Sequence, residues 1–224
     1  MTDTQAEPTE SRERRFLRGN LDPATTAVLT MELQNGIVAG EALFPNLVDE
    51  VARLGVIGTA SRVTAMAREV GARVVHCTKV TRPDGAGQKV NCKVFALSEK
   101  MRKEQGRDST QIGTRGAEVV DGVSSPDDFF VPRLSGMTPF TSTSLDQLLR
   151  NLGIQTVVVM GVSVNLGILG TSLTALDLGY QVVLVRDAVA GVPPEYAQQV
   201  IEQTLSLITT VVTSDDIAVV WGKA

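Results

Sequence analysis

The chain has 224 residues, of which 43% are hydrophobic and 21% charged, with a formal net charge of −4. That length supports one well-buried core, and this balance excludes a mostly disordered chain. The acidic charge argues against a nucleic-acid partner and for a small-molecule one, and two cysteines, Cys77 and Cys92, are too few for a disulfide framework.

No apolar stretch reaches the roughly 18 residues that span a bilayer, and the N-terminus carries mixed charges instead of a signal peptide's apolar core. A cytoplasmic protein with no membrane partner is therefore expected. Residues 1–20 are polar and charge-balanced and read as a flexible arm, leaving 21–224 as a single domain.

Residues 26–31 are short, apolar and β-branched, the pattern of a buried strand. The spacing of Leu47, Val51 and Leu54, then Val63, Ala67 and Val70, predicts a helix over 46–70, interrupted in pattern by Gly55 and Gly58. Gly71 stops it, and 73–78 supply a second strand. From Lys79 to Arg107, eight Lys or Arg face three acids, a local charge of +5. Such a stretch is either a solvated loop and helix or a basic wall facing an anionic ligand.

Beyond Gly122 the alternation resumes, with a strand at 129–131, a helix at 144–152 and an apolar strand at 154–160. The turn Gly-Val-Ser-Val-Asn-Leu-Gly-Ile, 161–168, leads into a helix over 167–178. A strand at 181–185, a helix at 194–208 and a strand at 210–213 complete the series. Strands alternating with helices imply an α/β fold: a doubly wound, mostly parallel six-stranded sheet with helices on both faces. Right-handed crossovers bring the strands' carboxyl ends to one side, gathering Glu32, His76 to Lys79, Gly161 to Gly167 and Asp187.

Several stretches carry a resemblance. "VLTMELQNGIV", "HCTKVTRPDG", "MTPFTSTSLDQLLRNLGIQTVVVMGVSVN" and "TALDLGYQVVLVRDAVAG" resemble blocks of the isochorismatase-like hydrolases, the cysteine hydrolase superfamily, over most of 25–215. The resemblance implies a Rossmann-like three-layer fold, hydrolysis of small amides, ureas or a vinyl ether, and a homo-oligomer; no Walker loop, zinc spacing or dinucleotide glycine pattern occurs in the sequence, so no metal or other cofactor is expected. In the family's amidohydrolases it further implies a Cys nucleophile, an Asp base, a supporting Lys, and an oxyanion hole built around a cis peptide. A thiolate attacks, a carboxylate takes its proton, and cation and donors hold the developing charge.

This sequence departs at all three side chains. Glu32 stands at the Asp position, Leu134 at the Lys position with Arg133 beside it as a stand-in, and Gly167 at the Cys position. The isochorismatases proper resemble it in having Gly there, since a vinyl ether needs an acid to protonate the enol carbon and water to add. Glu32 fits that role if Met31 and Leu33 desolvate it; the alternative is an ionised carboxylate held by Gln34, Asn35 or Arg133.

The expected site is thus Glu32, Arg133 and the Gly167 position for chemistry, with Gln34, His76, Arg82, Phe140, Val162, Ser163 and Asn165 for binding. Arg82, Lys89 and Lys93 are candidates to meet an anion. His76 is the sole histidine, so a His-rich metal site is excluded, and its alternatives are a hydrogen-bonded core residue or a lone proton shuttle. Asp187 reads as a turn cap. Two functions stay open: a hydrolase of a small anionic molecule with Glu32 as acid or base and water as nucleophile, or a non-catalytic binding or scaffold protein. A relocated thiol at Cys77 is a third.

Overall fold

A computed structural model of the chain describes residues 17–40, 42–106, 108–141 and 143–223. The expected arm lies outside the described residues as far as 16. Residues 17–20 form a helical turn whose Leu17 is fully buried, so packing begins before the boundary expected at 21.

Six strands form one sheet: β1 (Thr26–Met31), β2 (Arg73–Lys79), β3 (Phe129–Arg133), β4 (Thr156–Val162), β5 (Gln181–Ala190) and β6 (Thr210–Val212). Their order is β3-β2-β1-β4-β5-β6, and every pairing is parallel. All side chains of the central strands β1 and β4 are buried, as near-continuous Val, Leu and Thr runs require when helices cover both faces.

The helix expected over 46–70 is two helices, α1 (Pro45–Leu54) and α2 (Val56–Val70). Gly55 divides them: it adopts φ 66°, and its N–H returns to the carbonyls of Val51 and Ala52, closing α1 as a left-handed cap. The remaining helices longer than one turn are α3 (Lys93–Gln105), α4 (Leu145–Asn151), α5 (Leu169–Asp177), α6 (Pro194–Val200) and α7 (Ser214–Val220), and a single turn, Asn35–Val38, follows β1. A π-helical turn, Ile201–Leu205, carries α6 on into Ser206–Ile208, matching the length expected for it. Helix α2 packs on β1, β2, β4 and β5, and α7 packs beside it, while α5 packs on β5 and against Ser206–Ile208.

Two stretches differ from expectation. Strand β5 continues to Ala190 rather than ending at 185, because Asp187 accepts from the Ser214 N–H (2.8 Å) and Oγ (2.5 Å) and so is satisfied inside the strand. Those same bonds anchor the start of α7, whose cap pairs Thr213 reciprocally with Asp216.

Chain direction across the sheet reverses between β1 and β4. From β1 the chain steps one way, to β2; from β4 it steps the other way, to β5 and β6. The carboxyl ends of β1 and β4 therefore flank the crevice where sheets of this kind admit ligands.

Candidate active site

Glu32 follows β1 immediately. Its backbone adopts φ 52°, a left-handed conformation that costs a side-chain-bearing residue about 1–2 kcal/mol, and its N–H donates to the Cys77 carbonyl at 3.0 Å. The conformation turns the chain out of the sheet at the crevice. At the end of β3, two strands away, Arg133 reaches over β2 and forms an ion pair with the Glu32 carboxylate. Arg133 also donates from Nε to the Gly136 carbonyl (3.2 Å), and its side chain is 2% exposed. Its remaining nitrogen, Nη1, meets no acceptor among the described residues.

The end of β4 supplies the facing wall. Gly161 adopts φ 114°, and a Cβ there would stand 2.2 Å from the Met31 carbonyl oxygen, so only glycine lets β4 lie this close to the end of β1. The Val162–Ser163 peptide is cis, and a π-helical turn, Val164–Ile168, follows. Ser163 donates its hydroxyl to Asn165 Oδ1 at 2.7 Å, and Asn165 Nδ2 donates to the Val192 carbonyl at 3.3 Å. The N–H groups of Leu166 and Ile168 both return to the Ser163 carbonyl. The serine is thus built into the turn.

Gly167 sits within that turn. A Cβ at this position would meet Val162 O at 3.3 Å, Met31 Cε at 3.6 Å and Met137 O at 3.9 Å. The place where the amidohydrolase relatives are expected to carry a thiol is snug but open.

These groups surround a cavity of about 250 Å³. Glu32, Arg133, Ser163, Asn165 and Gly167 form its polar end; Ile37, Phe44, Leu47 and Met137 form apolar walls. Helix α3 roofs it with Val94, Phe95 and Ser98, although no residue of that helix is fully buried. The basic stretch is a loop over 80–92 followed by α3, the solvated loop and helix of the first expectation, with most of its basic side chains exposed while α3 covers the crevice. Lys79, at the end of β2, also lines the cavity.

Five of the expected binding residues lie elsewhere. Gln34 is fully buried and works as a brace: Nε2 donates to the carbonyls of Lys79 (2.9 Å) and Ala117 (2.8 Å), and Oε1 accepts from the Lys79 N–H (2.8 Å). His76 is also fully buried, with Nδ1 2.7 Å from Thr30 Oγ1 and Nε2 2.9 Å from Asp128, which Arg68 holds from the other side. Burial pushes the imidazole pKa down, and Asp128 draws it partly back. Phe140 is buried with its ring 5.9 Å from that of Tyr180, and Val162 is buried beneath the turn. Arg82 is exposed and paired with Asp84.

The cysteines are far from equivalent. Cys77 is fully buried in β2 and does not line the cavity, and burial pushes its thiol up to about 12, while Cys92 is exposed at the head of α3. Among the described residues, no cluster of three His, Cys, Asp or Glu side chains is placed to hold a metal ion, and no helix is long and apolar enough to cross a membrane.

Lys79 is the residue that sequence reasoning undervalued. It was grouped with His76 at a strand end, but side chains alternate along a strand, so 76 and 79 face opposite sides. One is committed to the core and the other to the cavity.

Comparison with known proteins agrees with this architecture. An isochorismatase domain profile matches residues 26–216. A ureidoacrylate amidohydrolase, RutB of Rhizobium rhizogenes, is 28% identical over 190 residues, 80% of this chain and 76% of that protein. An uncharacterised isochorismatase family protein, YwoC of Bacillus subtilis, is 26% identical over 171 residues, 76% of this chain and 80% of that one. Among solved structures, an isochorismatase family protein from Desulfovibrio vulgaris superposes with a TM-score of 0.72 at 28% identity, covering 88% of this chain and 98% of its own. The N-carbamoylsarcosine amidase of Thermoplasma acidophilum shares the fold, with a TM-score of 0.64 at 24% identity over 85% and 97% of the two chains.

Proposed function

The chain belongs to the isochorismatase family, and from that premise we propose that it hydrolyses a small anionic molecule, with Glu32 as general acid and base and water as the nucleophile. The observation that carries the reading is the company Glu32 keeps. It faces a cavity whose lining includes a buried arginine but neither a cysteine nor a histidine. Ser163, the hydroxyl nearest the family's nucleophile position in sequence, is spent on Asn165, and Ser98 donates to the Val94 carbonyl. A base and a cation are retained, which supports water as the attacking group.

The bond changes then follow those of a vinyl ether. Because Glu32 rests as a carboxylate paired with Arg133, it first takes up a proton from solvent and then passes it to the vinyl carbon remote from the ether oxygen; this leaves an oxocarbenium ion, which the resulting carboxylate stabilises. Water adds to the neighbouring, oxygen-bearing carbon and returns a proton to Glu32, and the hemiketal collapses to a ketone and an alcohol. Arg133 positions the carboxyl group throughout and disperses its charge after it has given up the proton. The apolar walls limit water to the amount the reaction consumes. Amide hydrolysis as expected of the cysteine-bearing relatives would lack its thiol here.

The Glu32–Arg133 ion pair also favours a second reading, a binding protein without turnover, because the carboxylate is satisfied without a substrate. One assay separates the two. A panel of small vinyl ethers, amides and ureas is screened for product, and Glu32→Gln is compared with the wild type on any that turn over. General acid and base catalysis supplies about 10²- to 10⁴-fold, so the variant loses at least about 100-fold; leaving Arg133 without its carboxylate also lowers the melting temperature, so the comparison is made where circular dichroism shows both proteins folded. Undiminished turnover in Glu32→Gln refutes the mechanism, and binding without turnover across the panel selects the second reading.

A further inference from the structure

The cavity holds three charged side chains, Glu32, Arg133 and Lys79. The first two neutralise each other. Lys79 has no carboxylate within ion-pair distance among the described residues, and its side chain is only partly buried, so the cavity keeps one uncompensated positive charge. Its position is fixed from behind, since the Gln34 amide clamps both its N–H and its carbonyl.

A smaller cavity of about 40 Å³ adjoins the first and shares Leu43, Lys79, Phe95, Ser98 and Gly136 with it. It brings in the exposed Lys89, which has no ion-pair partner among the described residues, whereas Arg102 there is already bonded to Glu99. Asp108, also in this annex, spends Oδ1 on the Thr110 N–H at 2.9 Å. The free positive charge therefore lies at the junction of the two cavities, away from the Glu32 end and next to the apolar walls. Arg82 and Lys93, expected to meet an anion, line neither cavity.

We propose that Lys79 is the specificity-determining residue of this site, anchoring a carboxylate on a substrate whose apolar body fills the main cavity. The assignment rests on the reading of that cavity as the substrate site, and it narrows the substrate class to carboxylic acids with a compact apolar portion. The partly buried ammonium matches a carboxylate, and the walls of Ile37, Phe44 and Leu47 match an apolar body.

The test reads binding, so it stands apart from turnover. Phenylacetate and its neutral counterpart phenylacetamide are titrated calorimetrically into the intact protein at low ionic strength. Phenylacetate is expected to bind about tenfold tighter, Lys79→Met to abolish that preference, and Lys79→Arg to keep it. Should Lys79→Met fold poorly, Lys79→Gln, with similar length and a polar end, takes its place. Equal affinity for acid and amide in the wild type, a preference undiminished in the neutral variants, or no binding of either probe overturns the assignment. Loss of the preference with turnover retained would leave the Glu32 mechanism intact, and a failed hydrolase assay would leave a Lys79-dependent preference standing.

Discussion

Gly161 and Gly167 lie six residues apart in one turn, yet alanine at the two positions should have opposite consequences. At Gly161 the φ of 114° is open to glycine and costs other residues about 1–3 kcal/mol. The new Cβ would also stand 2.2 Å from the Met31 carbonyl oxygen, on a strand paired directly with β4, so the two strands must part; overpacking of that kind costs about 1–3 kcal/mol more. Together these take about 2–6 kcal/mol from a total stability of about 5–15 kcal/mol. At Gly167 the backbone is helical, and replacing glycine by alanine gains about 0.4–1 kcal/mol through the unfolded chain. The 3.3 Å approach to Val162 O returns part of that gain, leaving a net change under about 1 kcal/mol. Urea unfolding followed by Trp221 fluorescence suits the measurement, because this is the sole tryptophan and its indole N–H donates to the Leu21 carbonyl. With a slope of about 3 kcal/mol per molar urea, Gly161→Ala lowers the midpoint by about 0.7–2 M and Gly167→Ala moves it by less than about 0.3 M. Equal losses would refute the claim that the thiol position is open, and would make packing the reason it holds no side chain.

Other outcomes follow from the buried groups. His76 has a folded pKa below its ordinary 6.5, so its contribution to stability is complete above that value and is lost as pH falls through the folded pKa. The wild-type urea midpoint should therefore decline from pH 7.5 toward pH 5, and His76→Asn should flatten the decline; an unchanged slope in the variant would assign the acid sensitivity elsewhere. Alkylation with iodoacetamide should modify Cys92 alone in the native protein and both cysteines in urea, read by intact mass, since Cys77 is buried with its thiol pushed up to about 12. Rapid native modification of Cys77 would contradict its placement in β2.

Strands were legible in this sequence because burial on both faces leaves runs such as Ile154 to Met160 almost without polar interruption. Where polar residues are satisfied by distant partners the pattern misleads. Arg186 and Asp187 look like a strand end, and only the bond from Asp187 to Ser214 explains why β5 runs on. Helix α7 went unread although its cap is written locally, in Thr213 and Asp216. In the site, the residues at the ends of β1, β3 and β4 converge: Glu32, Arg133, Ser163, Asn165 and Gly167 share one cavity. Gln34 and His76 were plausible by chain position, but direction decides their role, and both point into packed surroundings where they serve other groups. The apolar walls come from Ile37, Phe44, Leu47 and Met137 on connecting segments, whose paths no strand or helix period encodes.

Helix α3 gives the cavity a division of labour. The end that holds Glu32, Arg133 and Gly167 is continuous with the sheet, so any change there is also a change to the foundation of the domain. The ceiling is made by Val94, Phe95 and Ser98 on a helix that contributes no fully buried residue. Exchanges along that ceiling can alter which molecules fit while leaving the folding free energy nearly untouched.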